Sequence, residues 1–426
     1  MTTLIPALIL FAAAYIGMLT FGKYRTFIAL GAALVFIVTG MLPLGEVLPS
    51  IDLNVLLMIA GTMGLVALFI ESKMPALLAD LVMERVSSVQ TAAVALALFA
   101  GVISAFMDNV ATVLMIAPVA LEICRKLKTN PVPFIIGIAV SSNLQGAATL
   151  VGDTTAIMLG SALDMSFMDF FWYHGRPGMF FVVELGAVLA AAILFFLFRK
   201  EKGQVPRLVQ RTQVTDYVPT ILLLGTIGLM IGASFIPVKP DVTNGLIACS
   251  MLAIGLAHSY NKRRSAAAIV QPLQGIDLQT IGLLLGLFLM IGGIKAQGVI
   301  DAAANLLAQA GGGNLFLLYT IIVWASVVIS AFIDNIPYVA TMIPVIASMS
   351  AAMGVDPTVL YFGLLSGATL GGNCTPIGAS ANITGIGILR TAGYEVKNGD
   401  FFKLGIPFTL AAVVPAYVLI WLFFGM

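Results

Sequence analysis

Apolar runs of about 15 to 20 residues alternate along this chain with short charged loops, the rhythm expected when each run must cross about 30 Å of hydrocarbon as a helix. The pattern predicts spans over Leu4–Thr20 and Phe27–Leu44, separated by Lys23 and Arg25, and a third over Asn54–Ile70. Glu71 to Gln90 mixes Glu71, Lys73, Asp80, Glu84 and Arg85 with apolar residues, as a helix lying on a membrane surface does. Further spans are expected over Gly178–Phe198, Tyr217–Ile236, Thr243–His258, Thr280–Ile294 and Leu404–Phe424. The run from Leu4 has no basic flank before it and no small-x-small site after it, so it reads as a first span rather than a cleaved signal.

Four stretches depart from this rhythm. Thr91–Leu121 and Gly311–Met349 are apolar, yet each holds an Asp-Asn pair near its middle, Asp108-Asn109 and Asp334-Asn335. An ionised carboxylate deep in a bilayer is disfavoured by about 2.5 to over 10 kcal/mol, depending on the reference. A straight span would strand the pair there; a re-entrant hairpin puts it at a tip, the preferred reading. Pro133–Leu163 and Val359–Leu389 are too long and too rich in glycine for one helix each, and read as helices broken at mid-membrane.

These irregular stretches are copies. Asp108 and Asp334, Pro118 and Pro344, Thr149 and Thr375, and Gly152 and Gly378 are each 226 residues apart, while Ile51-Asp-Leu and Ile276-Asp-Leu are 225 apart. The basic loops at Arg199–Gly203 with Arg207 and Arg211, and at Lys262–Arg264, lie two spans apart and so share a face, the cytoplasmic one by the positive-inside rule. Counting back puts Arg125–Lys128 and Lys23–Arg25 inside, Asp164–Pro177 outside and both termini outside, with ten crossings and two re-entrant hairpins. The copies then point in opposite directions, as in secondary transporters whose inverted repeats meet at a midplane site. The expected division is 1–50 and 201–275 as scaffold spans and basic loops, 51–200 as repeat one and 276–426 as repeat two. The expected class is an all-α polytopic membrane protein.

Composition narrows the classes rather than the fold. Hydrophobic residues make up 60% of the chain and charged residues 10%, with a mean hydropathy of +1.05, where soluble domains carry about 25% charge. A net charge of +1 gives no basic face for nucleic acid. Three scattered cysteines, Cys124, Cys249 and Cys374, form neither a disulfide framework nor a metal site. No Ser-His, paired-Asp or His-Glu-x-x-His constellation points to an enzyme, and no cofactor is implied.

Candidate chemistry lies at the tips and breaks. A broken helix frees carbonyls that bind cations and N–H groups that bind anions. The substrate- and ion-binding candidates are Asp108, Asn109 and Thr112 at the first tip, and Asn143, Gly146, Thr149, Gly152, Asp153 and Thr154 at the first break. The second copy contributes Asp334, Asn335, Thr341, Gly372, Asn373, Thr375, Gly378, Ser380 and Asn382. Each glycine alone is more simply a close-packing residue, and each hydroxyl can bond its own helix. The aspartates have two readings: helix caps held by backbone N–H groups, or buried carboxylates that exchange a proton or sit beside a metal cation.

Met107-Asp-Asn-Val-Ala-Thr112, Ile333-Asp-Asn-Ile-Pro-Tyr-Val-Ala-Thr-Met-Ile-Pro344 and Gly371-Gly-Asn-Cys-Thr-Pro-Ile-Gly-Ala-Ser-Ala-Asn382 resemble the ion transporter superfamily. The nearest likeness is its ArsB/NhaD permease group, which takes in arsenite-permease, P-protein and citrate-transporter-like carriers. The resemblance runs from Ile51 to Phe401 and implies the inverted-repeat fold of the divalent-anion/sodium symporters, an elevator mechanism and a homodimer. In those symporters the tips read Ser-Asn-Thr. Here Asn109 and Asn335 keep the asparagine, while Asp108 and Asp334 replace the serine, and the added carboxylates count against a bare dicarboxylate. Gly152-Asp-Thr-Thr-Ala also lacks the Pro-Pro-Asn of relatives. The expectation is a secondary active transporter in a bacterial or archaeal inner membrane, coupled to protons or to sodium held at Asp108, Asn109, Asp334 and Asn335. Its solute would be arsenite, antimonite or a small anion. Sodium/proton antiport and a passive anion channel are the alternatives.

Overall fold

The structure, a computed structural model, describes residues 4–127, 129–200, 203 and 211–426. Lys128, Glu201, Lys202 and Arg207 of the basic loops lie outside the described residues. The first half carries α1 (Leu4–Thr20), α2 (Arg25–Val38), α3 (Leu44–Val47), α4 (Leu53–Glu71), α5 (Met74–Met83), α6 (Val89–Ser104), α7 (Asn109–Leu127), α8 (Val132–Gly146), α9 (Thr154–Ala162) and α10 (Met179–Leu197). The second carries α11 (Val218–Ser234), α12 (Thr243–Arg263), α13 (Ala267–Gln274), α14 (Leu278–Ala296), α15 (Val299–Gly311), α16 (Leu315–Ser330), α17 (Asn335–Met353), α18 (Thr358–Leu365), α19 (Ser380–Thr391) and α20 (Asn398–Phe424). The all-α class holds; among the described residues the one strand pairing is a two-residue ladder, Trp172–Tyr173 with Arg176–Pro177. Among the described residues five helices, α4, α10, α14, α17 and α20, are each long and apolar enough to cross a membrane.

The repeat is visible in where helices start. α6, α7, α8 and α9 each begin 226 residues before α16, α17, α18 and α19, and α4 and α5 begin 225 before α14 and α15. The starts are set by capping, since Asp52 accepts from Val55 N at 3.0 Å while Asp277 accepts from Gln279 N and Thr280 N at 3.0 and 3.1 Å. Three differences from expectation follow from local chemistry. α2 stops at Val38, short of Leu44, because Gly40 turns the chain at φ +73 and Pro43 follows. α12 runs on to Arg263 and ends where Arg264 takes a left-handed φ of 50. α13 and α15 were not foreseen, although α15 is the counterpart of the expected surface helix α5.

The halves interlock. A Cβ on Gly61 of α4 would stand 2.6 Å from the backbone of Ala248 in α12, and one on Gly286 of α14 would stand 2.7 Å from the backbone of Ala29 in α2. Each repeat's long helix is therefore packed by a helix of the opposite half, with glycine allowing the backbones to close in. Inside this frame, α8 and α18 are buried almost all round, α18 as a largely apolar helix must be, and α8 with its polar Ser142 and Asn143 held inside.

Candidate functional site

Hairpins and breaks are fastened together in the same way in each repeat. α6 and α7 turn at Ala105–Asp108, α16 and α17 at Ala331–Asp334, and α8 and α18 unwind before α9 and α19. Gly152 packs against its own break and the adjacent tip: a Cβ there would lie 2.5 Å from Gly146 O, 2.8 Å from Ser104 O and 2.9 Å from Ala105 O. Gly378 repeats this at 2.6 Å from Gly372 O, 2.7 Å from Ser330 O and 2.8 Å from Ala331 O. The hydroxyls of Thr149 and Thr375 donate to Ala105 O and Ala331 O and accept from Val151 N and Ile377 N. Gly146, Thr149, Gly152, Gly372, Thr375 and Gly378 thus fix the breaks against the tips. Asn382 belongs with them, its Nδ2 donating to Gly372 O and Thr375 O at 3.0 Å each.

Both tip aspartates cap their helices. Asp108 accepts from Ala111 N at 2.9 Å and Asp334 from Ile336 N at 3.2 Å. Beyond the cap they differ: Arg25 Nη1 of α2 reaches Asp334 Oδ2 at 2.6 Å, with Ser380 Oγ at 3.5 Å, while no ion pair to Asp108 occurs among the described residues. Asp153, 6% exposed, accepts from Thr155 Oγ1 at 2.7 Å and from Asn335 Nδ2 at 3.4 Å.

One hydrogen-bonded chain connects the tips through both breaks. Asn109 Nδ2 donates to Asn143 Oδ1 at 3.0 Å; Asn143 Nδ2 donates to Asn373 Oδ1 at 3.1 Å and to Thr369 O at 2.7 Å. Thr369 Oγ1 meets Thr155 Oγ1 at 2.9 Å, and Thr155 leads through Asp153 to Asn335. Its members are buried, and buried amides that satisfy one another specify a single arrangement. Asn143 and Thr369 are repeat counterparts, so the chain crosses the pseudo-symmetry axis through them.

The chain ends on a cavity of about 980 Å³ lined by Asp108, Asn109, Asp153, Thr154, Asn335 and Ser380, together with Asp277 and Arg25. Arg25 is the one basic side chain among the described residues lining it, and it is already paired with Asp334. A second cavity, of about 730 Å³, is lined by Asp52, Ser161 and Lys295 among others and shares no lining residue with the first. The first cavity takes Leu278–Thr280 at the start of α14 and the second takes Ile291–Ala296 at its end, so the two lie toward opposite ends of one helix about 28 Å long. Asp52 and Asp277, the paired helix caps, line one cavity each, and Asp52 additionally accepts from the Ser161 hydroxyl of α9.

Of the expected residues, Asp108, Asn109, Asp153, Thr154, Asn335 and Ser380 line the cavity, whereas Asp334, Asn143, Asn373 and the residues that fix the breaks stand behind it; the hydroxyl of Thr112 bonds Asp108 O and that of Thr341 bonds Pro337 O, each within its own helix. Sequence reasoning missed Arg25 and Asp277 as cavity residues and left Thr369 out. For Thr369 a signal existed, since the 226 offset applied to Asn143 lands on it.

The sequence profile of the citrate transporter family matches residues 7–362 and 246–426. An uncharacterised transporter of Mycobacterium tuberculosis is 30% identical over 434 residues, covering 98% of each chain. The P protein of Homo sapiens is 26% identical over 447 residues, covering 85% of this chain and 52% of that protein. The crystal structure of the Alcanivorax borkumensis YdaH transporter superposes with a TM-score of 0.58 at 18% identity, over 91% of this chain and 86% of the other.

Proposed function

Because the chain belongs to the citrate transporter family and is a multi-pass membrane transporter, we propose that it is a secondary active carrier moving a carboxylate anion of the citrate kind together with protons or sodium. The observation that carries this reading is the cavity: it gathers Asp108, Asn109, Asp153 and Asn335 from the tips and a break, is large enough for an organic solute, and shares no lining residue with the cavity at the far end of α14. A passive channel would need a continuous path, and two cavities without a shared lining residue favour a carrier. No cysteine lines the first cavity among the described residues, which favours an oxygen-rich anion over thiol-held arsenite or antimonite. In the proposed topology the basic loops face the cytoplasm, the chain crosses ten times, and the first cavity, lined by Arg25 and Gln274–Asp277 at the cytoplasmic ends of α2 and α14, opens inward. Hairpins and broken helices move as one body against a scaffold containing α1, α2, α11 and α12 in a homodimer.

Asp108, Asp153 and Asp277 repel a bare polyanion at contact distance. The anion therefore enters with cations that neutralise them, either protons or a metal ion such as sodium. The same carboxylates support a second reading, sodium/proton antiport, in which the two cations alternate on them and no anion moves. Proteoliposomes under an imposed sodium or pH gradient, offered citrate, arsenite, chloride or sodium, separate the readings. Gradient-driven citrate accumulation with counterflow is expected. Sodium flux without citrate would establish the antiporter, and flux without counterflow or gradient coupling would establish a channel.

A further inference from the structure

Arg25 sits outside both repeats' site motifs, on the first turn of α2, yet its Nη1 reaches Asp334 Oδ2 at the second tip at 2.6 Å. Side-chain exposures of 29% for Arg25 and 18% for Asp334 leave the pair only partly screened by water, and Arg25 itself lines the first cavity. Oδ1 of the same carboxylate takes Ile336 N–H, so one oxygen is spent on the helix and the other on the guanidinium. Asp108, its repeat counterpart, holds a backbone N–H alone among these partners. The ion pair also joins two bodies, since α2 packs on α14 through Gly286 while Asp334 heads the hairpin arm α17.

We infer that Arg25 is a tethered cation which competes with the mobile coupling cation for Asp334, so that in the conformation open at the first cavity this carboxylate is already neutralised and cannot retain a transported ion. Asp108, without such a partner, keeps its mobile cation in that conformation. Release of the ion at one tip and retention at the other follow from a single arginine. For the hairpin to travel away from α2, the pair must open, and Asp334 then needs a new cation. This rests on the reading of the cavity as an ion-coupled transport site. The charged and titratable groups around Asp334 are Arg25 from α2, Tyr15 from α1, Asp153 from the first break and Tyr338 from its own helix, with Asp108 and Asp277 across the cavity.

The test follows thermal stabilisation of the full-length protein in nanodiscs, titrated with sodium chloride against choline chloride at fixed pH, and separately with pH in the absence of sodium. Arg25→Gln is expected to lower the half-saturating concentration of whichever cation stabilises the wild type by about tenfold, as removal of a competing partly screened charge does. Arg25→Lys, a point charge that fits the carboxylate less well than a guanidinium fork, is expected to fall between. R25Q/D334N should match D334N alone. An unchanged half-saturation in folded R25Q, or the same shift with Asp334 already replaced, overturns the inference. If R25Q does not fold, R25K decides, and half-saturation equal to wild type overturns it. A wild type indifferent to both cations sinks the coupled-transport reading along with it, whereas a responsive wild type with no Arg25 effect sinks this inference alone.

Discussion

At the first tip Asp108 holds backbone N–H groups and no cation among the described residues, whereas at the second Asp334 holds a backbone N–H and the guanidinium of Arg25. Around them the backbone is duplicated: Gly152 and Gly378 press on the same carbonyls and Thr149 and Thr375 make the same bonds. Beyond the Asp-Asn pairs at the tips, the charged and amide side chains of the breaks are not duplicated. Asp153 faces Ala379 across the repeat, and Asn143 faces Thr369. Duplication has thus preserved what shapes the breaks and let the chemistry on them diverge.

The duplicated part should respond alike to mutation and the divergent part should not. Gly152→Ala and Gly378→Ala each push a methyl into three carbonyl oxygens and are expected to lower stability by about 3 kcal/mol and to abolish transport. Thermal unfolding in detergent should show the two within about 1 kcal/mol of each other. A mild effect at one position alone would break the equivalence of the breaks.

A smaller, asymmetric effect is expected in the amide chain. Asn143→Ala leaves Asn109 and Asn373 short of a buried partner and should cost about 2 kcal/mol, while Thr369→Val, which keeps the carbonyl that Asn143 uses, should cost about 1 kcal/mol. Solute affinity measured in liposomes should fall in the same order. Equal losses would show that the chain is read symmetrically after all.

The aspartates sharpen the contrast at the level of coupling. Asp108→Asn removes a carboxylate with no cationic partner and should reduce gradient-driven accumulation while leaving solute binding within about threefold. Asp334→Asn orphans Arg25 and should additionally lower the melting midpoint, by the equivalent of about 1 kcal/mol for a partly exposed pair. Uptake and melting curves for both variants check this; indistinguishable behaviour would make both residues simple helix caps.

The least effect should come from a region outside the repeat. At the basic end, burial alone would raise the Asp216 carboxyl, but hydrogen bonds from Lys262, Val218 N–H and His258 outweigh it and hold the group down at about 2. Its ordinary value is near 4, so its stabilisation is complete above about pH 4 and fades as pH falls toward 2. Asp216→Asn should flatten that fall slightly, by at most about 1 kcal/mol, and leave transport at neutral pH unchanged.

Much of this frame was legible in the sequence, because lipid forces every apolar run to declare its length and because the 226 offset ties two distant stretches together. The hairpin turns and the breaks at Gly152 and Gly378 were found from an Asp-Asn pair in an apolar run and from glycine density. Arg25 was not legible as a cavity residue. It stands beside Lys23 as an ordinary basic flank, and only the packing of α2 on α14 carries it to Asp334. α15 was missed because its polar face reads as a loop among glycines, although Met74 plus the upstream offset of 225 points to Val299. Asp277 was read as a repeat marker, since a helix cap and a cavity carboxylate have the same sequence signature.

The exchange of helices between halves has a consequence for biogenesis. Gly61 is made 187 residues before the Ala248 backbone it packs against, an interval of about 10 to 40 s at ordinary rates of synthesis. During that time α4 lies in the membrane without its packing partner, and α2 likewise waits for α14. Closing these contacts brings together segments far apart in the chain, the slow kind of event in folding. The first half on its own should therefore be a substrate for membrane chaperones and proteases, and two separately expressed halves should rescue one another only when synthesised together.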